Sequence, residues 1–288
     1  MSTILEPSPM GQADAALTRH VTAGGIRFAF RVFGAPSAVP LVLCQRFRGT
    51  MDDWDPLFLD TLANERRVVI FDNAGVGRSS GDSPATIAGM ADHAAAFIRG
   101  ALGVDQVDVL GWSMGGAVAL ALAIAQPDLV RRLVVAASGP GSIPGSTPMS
   151  DEVRLTATKP VNEDDDFLFL FFDGPEARRA TGRAYLARLH RRAEPRGPLT
   201  SMATVQAMAA ALRGWRIGGE GIYARLAEIE QPVLVATGAH DVMVPARDSF
   251  AMVERLPDAE LVVYSDAGHG FLFQHAVRFA TRVNQFLG

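Results

Sequence analysis

The chain has 288 residues, 48% hydrophobic and 20% charged, with a formal net charge of −4. These values exclude a disordered or fibrous protein, and the absence of a basic stripe argues against a nucleic-acid partner. A single cysteine, Cys44, cannot form an internal disulfide and fits a reducing compartment, so a cytoplasmic location is expected.

Residues 1–20 lack the basic start and apolar run of a signal peptide and read as a loose or docked tail. No stretch approaches the ~18–20 apolar residues that span a bilayer, so no membrane partner is expected. The run IRFAFRVFG (26–34) alternates in hydropathy and reads as antiparallel edge strand. Six short apolar runs then recur: PLVLC (40–44), RVVIFD (67–72), QVDVLG (106–111), RRLVVAA (131–137), PVLVATG (232–238) and ELVVYS (260–265). Near-continuous apolar runs of this length suit strands buried on both faces. Helical patterns over 86–102, 114–126, 245–256 and 275–287 lie between or after them. This alternation predicts an α/β fold with a mostly parallel, doubly wound sheet.

The alternation breaks between about 140 and 225. A Gly-, Pro- and Ser-rich stretch, GPGSIPGSTP (139–148), reads as a loop. Helical patterns follow at 167–172, 176–193 and 200–215. A structureless loop of this length is improbable in a compact domain, so a helical cap is expected here. The division is a tail over 1–20, a core over 21–140 and 220–288, and a cap over 141–219.

Gly111-Trp112-Ser113-Met114-Gly115 matches G-x-S-x-G. The strand QVDVLG runs straight into it and an Ala-rich helix starts at Met114, which makes a strand–turn–helix nucleophile elbow. Small residues are needed beside so sharp a turn, and Gly111, Gly115 and Gly116 supply them. A serine hydroxyl needs a base, and the base an orienting acid. Of six histidines, His269 fits best, in the loop SDAGHGF after the last strand, with Gly268 and Gly270 easing the turn. Asp241, in GAHDVMVP, lies beyond the preceding strand; both loops are at carboxyl ends of strands, where sites form in such sheets. His240 is a rival base and Asp266 a fallback acid. His93 and His190 fall in helical patterns, and His275 opens the last helix.

GWSMGG, GAHDVMVP and AGHGFLFQ, in this order, resemble the α/β-hydrolase superfamily, particularly its esterase, haloperoxidase-like and C–C hydrolase branch. FDNAGVGRSS (71–80) is similar to that branch's D-x-R/N-G-x-G-x-S turn, and TMDDWDP (50–56) to the stretch after its oxyanion strand. The resemblance covers the chain from about residue 20 onward. It implies the α/β-hydrolase fold, the triad Ser113, Asp241 and His269, and an oxyanion hole from the N–H groups of Met114 and Phe47. One departure stands out. The family carries His-Gly and then an aromatic where this chain has Gln45-Arg46-Phe47. Backbone donors survive side-chain changes, so the hole can remain.

Arg46, or Arg48, could pair with a substrate carboxylate, or with Asp52, Asp53 or Asp55 at the surface. Trp112, Phe171 and Phe172 are candidate pocket residues, with Phe167, Phe169 and Met114. The charge run Glu163 to Asp166 reads as solvated. The cap arginines Arg178, Arg179, Arg183, Arg188, Arg191 and Arg192 read as a wet helix face. Asp72, Asn73, Gly75, Gly77 and Ser79 read as a structural turn, and Cys44 as a small buried residue. Neither H-E-x-x-H nor paired cysteines occur, nor a dinucleotide fingerprint, so no metal or cofactor is expected.

The expected activity is cofactor-free hydrolysis of a small carboxylic ester or lactone with an apolar acyl or aryl part. C–C bond hydrolysis and perhydrolysis with the same triad are alternatives, as is a non-catalytic ligand-binding member of the fold. A homo-oligomer is left open.

Overall fold

The computed structural model describes residues 11–288 apart from Ala193. An eight-stranded sheet runs in the order β1-β2-β4-β3-β5-β6-β7-β8. The strands are β1 (Arg19–Ala23), β2 (Ile26–Gly34), β3 (Leu41–Cys44), β4 (Arg67–Phe71), β5 (Val107–Trp112), β6 (Val130–Ala136), β7 (Val233–Gly238) and β8 (Ala259–Tyr264). β1 and β2 form an antiparallel hairpin, β2 pairs antiparallel with β4, and every pairing from β4 to β8 is parallel. The helices are α1 (Gln12–Ala15), α2 (Pro56–Ala63), α3 (Ile87–Leu102), α4 (Met114–Ala125), α5 (Asp151–Ala157), α6 (Asp164–Phe172), α7 (Glu176–Leu189), α8 (Met202–Ile217), α9 (Ala246–Val253), α10 (Phe271–Gln274) and α11 (Ala276–Leu287).

The six predicted runs are therefore the six strands of the parallel part. Their side chains split by alternation, as the pleat requires. Val42, Cys44, Val69 and Val109 face the layer of α3, α4 and α9, whereas Leu41, Leu43, Ile70 and Leu110 face α2 and α11. Both faces are covered, which explains why the runs are apolar throughout.

Four helices were not anticipated: α2, α5 and the four-residue α1 and α10. α2 follows Asp55, whose side chain caps Leu57 N–H at 3.0 Å, with Pro56 in its first turn; this is an ordinary N-terminal signal. α5 is capped by Ser150. The acidic run 163–166 opens α6 through a reciprocal Glu163–Asp166 capping box, so it has a structural role besides being solvated. The part of the N-terminal segment described, from residue 11, is docked: Ala13 N–H donates to Asp60 at 2.8 Å, and β1 begins at Arg19, inside the expected tail.

Helices α5 to α8 all lie between β6 and β7, over the carboxyl ends of the strands. The expectation of a wet arginine face fails for much of this insertion. Arg178 is buried and donates to the carbonyls of Asp266 and Asp173. Arg188 grips the fully buried Asp55 through two bonds of 2.8 and 2.6 Å. Arg192 donates to Ala13 and Asp14 carbonyls. These side chains fasten the insertion to the core; Arg179 and Arg183 keep exposed partners. Among the described residues no helix is long and apolar enough to cross a membrane.

Candidate active site

β5 ends at Trp112 and α4 starts at Met114, so Ser113 alone makes the turn. Its backbone sits at φ 57°, ψ −121°, a strained conformation for a residue with a side chain. The glycines allow it by close approach. A Cβ on Gly111 would lie 2.1 Å from Gly115 O, and one on Gly116 2.4 Å from Ser138 Cβ. A Cβ on Gly115 would lie 2.0 Å from Cys44 O and 2.7 Å from Gln45 O. The start of α4 thus presses directly on the end of β3, which brings Met114 and the loop carrying Phe47 to one place.

Asp241 and His269 come from the loops after β7 and β8. His269 Nδ1 is 2.7 Å from Asp241 Oδ2, and both side chains are fully buried. Asp241 Oδ1 accepts the N–H groups of Met243 and Val244 at 2.8 and 2.9 Å, which fixes the carboxylate. His269 Nε2 has no hydrogen-bond partner among the described residues. Ser113 and His269 line one small chamber together with Phe47, Arg46 and Phe171. His240 is exposed and does not line the chamber. Asp266 bonds His275 Nε2 at 2.8 Å on the surface, so the fallback acid is committed to another histidine. His275 itself sits at the junction of α10 and α11.

Gly268 and Gly270 do not use left-handed backbone angles, contrary to the turn argument. They permit the end of α6 to approach: Gly270 N–H donates to Phe171 O at 2.8 Å, and a Cβ on either would lie 3.1 Å from that carbonyl.

The candidate pocket residues separate. Phe171 reaches the chamber beside His269. Trp112 does not line the cavity: it is fully buried, its Nε1 donates to His269 O at 3.2 Å, and its ring lies 5.7 Å from the imidazole. Phe172 is also fully buried, packed on Tyr185 behind the wall. Both are supports, because a strand-end and a helix-end aromatic point into the layer below the site. Arg46 is buried, with Nη2 3.5 Å from Asp53 and Nη1 donating to its neighbour's carbonyl, Phe47 O, at 2.8 Å. Its guanidinium lies 5.2–5.7 Å from the ring centroids of Trp112, Phe167 and Phe171, a cation–π nest that makes it part of the wall. It pairs with Asp53 as anticipated, but beneath the insertion and not at the surface.

The main cavity, about 360 Å³, opens from Ser113, Phe47 and Met114 toward the insertion. Met149, Leu212, Trp215 and Met243 make much of its wall, and exposed Arg213 and Ile217 stand at its mouth. None of these four wall residues carries a sequence signal; only the fold gathers them. Burial pushes the Cys44 thiol up to about 12, so it is an inert core group under the elbow. Among the described residues no group of His, Cys, Asp and Glu is arranged to hold a metal ion.

A serine on a strained strand–helix elbow of a mostly parallel sheet, with Asp241 and His269 beyond the ends of β7 and β8, defines an α/β hydrolase. Residues 39–276 match the family described as alpha/beta hydrolase fold, and the chain belongs to that family. It is 30% identical over 290 residues to a 2-hydroxymuconate semialdehyde hydrolase of Pseudomonas sp. strain CF600, covering 96% of this chain and 95% of the relative. It is also 30% identical to a protein of Agrobacterium fabrum named as a carbamate hydrolase, RutD, over 90% of this chain and 97% of the other. The solved structure of an alpha/beta hydrolase fold protein from Chitinophaga pinensis superposes with a TM-score of 0.86 at 33% identity, covering 96% and 99% of the two chains.

Proposed function

We propose that the protein is a serine hydrolase that cleaves a carboxylic ester or lactone with an apolar acyl or aryl part. The observation that carries this reading is the shared chamber of Ser113 and His269, with His269 held by buried Asp241. Ser113 Oγ attacks the carbonyl carbon while His269 Nε2 takes its proton. Asp241 keeps the other ring nitrogen protonated and stabilises the imidazolium. The oxyanion accepts the N–H groups of Phe47 and Met114, neither of which donates to another group in the described hydrogen bonds. His269 returns the proton to the leaving oxygen. Water then attacks the acyl-enzyme with His269 as base, and Ser113 is released. No step calls for a cofactor. The 360 Å³ cavity, walled by Met149, Leu212, Trp215 and Met243, suits the apolar part.

A second reading is hydrolysis of a C–C bond beside a ketone with the same triad. It is favoured by the likeness over 96% of the chain to a 2-hydroxymuconate semialdehyde hydrolase.

The test is fluorophosphonate treatment and mass spectrometry with wild type and Ser113→Ala, beside turnover of aryl esters, lactones and a ring-cleavage diketone. One adduct on Ser113, absent from the variant, with ester or lactone turnover, supports the first reading. Turnover of the diketone alone selects the second. No adduct and no turnover would leave a ligand-binding protein.

A further inference from the structure

The loop from Gln45 to Thr50 replaces the family's His-Gly, and it is braced in two ways. From inside, buried Gln45 spans it: Oε1 accepts Arg46 N–H at 2.8 Å and Nε2 donates to Thr50 O at 2.9 Å. Gly49 N–H closes on Arg46 O at 3.1 Å. From outside, the brace is Arg48. Its Nη1 donates to Ala157 O at 3.2 Å and Lys159 O at 2.6 Å, and its Nη2 to Pro160 O at 3.0 Å. Those carbonyls lie at and just beyond the C-terminus of α5, where a helix favours positive charge. Arg48 O in turn accepts Thr200 Oγ1 at 2.7 Å, just before α8.

Arg48 also has φ 61°, the left-handed region where glycine is the locally preferred residue. The residue that local geometry disfavours is the one that meets the insertion twice, by its side chain at 157–160 and by its carbonyl at Thr200. Phe47, one residue earlier, is the second oxyanion donor in the reading above.

We propose that Arg48 is a positioning residue that couples the helical insertion to the oxyanion loop. With residues 157–160 and 200 in place, the loop is held with Phe47 N–H beside Ser113. The proposal rests on the triad reading, and the brace then governs the chemical step more than binding.

The test compares Arg48→Gly, which suits the backbone angle and keeps the carbonyl for Thr200 but lacks the side-chain brace, with Arg48→Lys, Thr200→Val and wild type. Readouts are kcat, KM, thermal melting and inhibition by a phenylboronic acid, whose tetrahedral adduct places an oxygen at the donors. We expect Arg48→Gly to lower kcat by about 10- to 100-fold. Boronate affinity should fall in parallel, KM should change less than about threefold, and Arg48→Lys should recover part of both. Thr200→Val should give a smaller loss of the same kind. Unchanged kcat in Arg48→Gly, a loss confined to KM, or a kcat loss without weaker boronate binding would overturn the coupling. Ser113→Ala separates the two layers: if it keeps full activity, the triad reading has failed and not the brace.

Discussion

Asp241 meets His269 with one oxygen and two backbone N–H groups with the other, and the pair has no contact with solvent. Four lone-pair directions are thereby assigned to three donors. Asn at 241 cannot serve them all. Its amide must either face the N–H groups of Met243 and Val244, donor against donor, or face His269 Nδ1 and drive the ring proton onto Nε2. In the second case Nε2 can no longer accept from Ser113. Asp241→Asn should therefore lower kcat on an aryl ester by about 10³- to 10⁴-fold, with the fold intact by circular dichroism. Asp266→Asn, whose side chain meets only His275 and Gln274 at the surface among the described hydrogen bonds, should stay within about twofold of wild type. The reverse ranking would give the acid's role to Asp266.

The meeting of Ser113, Asp241 and His269 could be read in advance because each is tied to a strand end, and strands were the clearest signal in the sequence. Trp112 does not reach the cavity for a related reason: being next to Ser113 in sequence says nothing of direction when Ser113 is itself the strained turn. Arg188 and Arg192 looked solvated because their partners, Asp55 and the carbonyls of Ala13 and Asp14, lie more than a hundred residues away. Gln45 was visible as a departure from a family pattern and Arg48 as a candidate partner for a carboxylate, but the bonds of Arg48 to the carbonyls of 157–160 depend on where the insertion lands. Long-range pairing of polar side chains has no period, and only the folded chain displays it.

Gly115 gives a sharp steric prediction. It lies in α4, where alanine is the better helix former by about 1 kcal/mol. Its missing Cβ would stand 2.0 Å from Cys44 O, a backbone atom of a central strand. Gly115→Ala should thus lose about 1–3 kcal/mol in urea unfolding through overpacking, and should lose activity as the elbow and the Phe47 loop are forced apart. Gly103→Ala is the contrast. Its φ of 59° ends α3 with nothing within 4 Å of the added methyl. It should cost about 1 kcal/mol or less and leave kcat alone. Equal kinetic effects of the two would show that the close approach at Gly115 does not set the site.

Asp72 sets a pH signature. It is buried, and its oxygens accept Met51 N–H at 2.7 Å and Arg78 N–H at 2.9 Å. Burial pushes the carboxyl up to about 6, outweighing those two bonds. The folded state then holds this proton more tightly than the unfolded chain, whose carboxyl titrates near 3.8. The group's contribution is fully present below about pH 4 and is lost as pH rises through about 6. Against Asp72→Asn, which cannot titrate, the wild type should lose up to about 3 kcal/mol of relative stability between pH 4 and 7. Urea midpoints of both proteins across that range provide the measurement. Parallel curves would mean the carboxyl is ionised throughout.

The Arg188–Asp55 pair tests how the insertion is fastened. Asp55 is fully buried and has two tasks: it caps α2 at Leu57 N–H and receives the guanidinium of α7 through both oxygens. Arg188→Met keeps much of the aliphatic stem but strands the carboxylate away from water. The expected cost is about 3–5 kcal/mol, chiefly the unpaired charge and not the lost attraction. If so, removing the charge should help. Adding Asp55→Asn retains an oxygen for the cap and should restore about 1–3 kcal/mol to the Arg188→Met protein, a sign opposite to its effect in the wild-type background. Urea unfolding of the four proteins closes the cycle; additive losses would show that the two side chains stabilise the molecule independently.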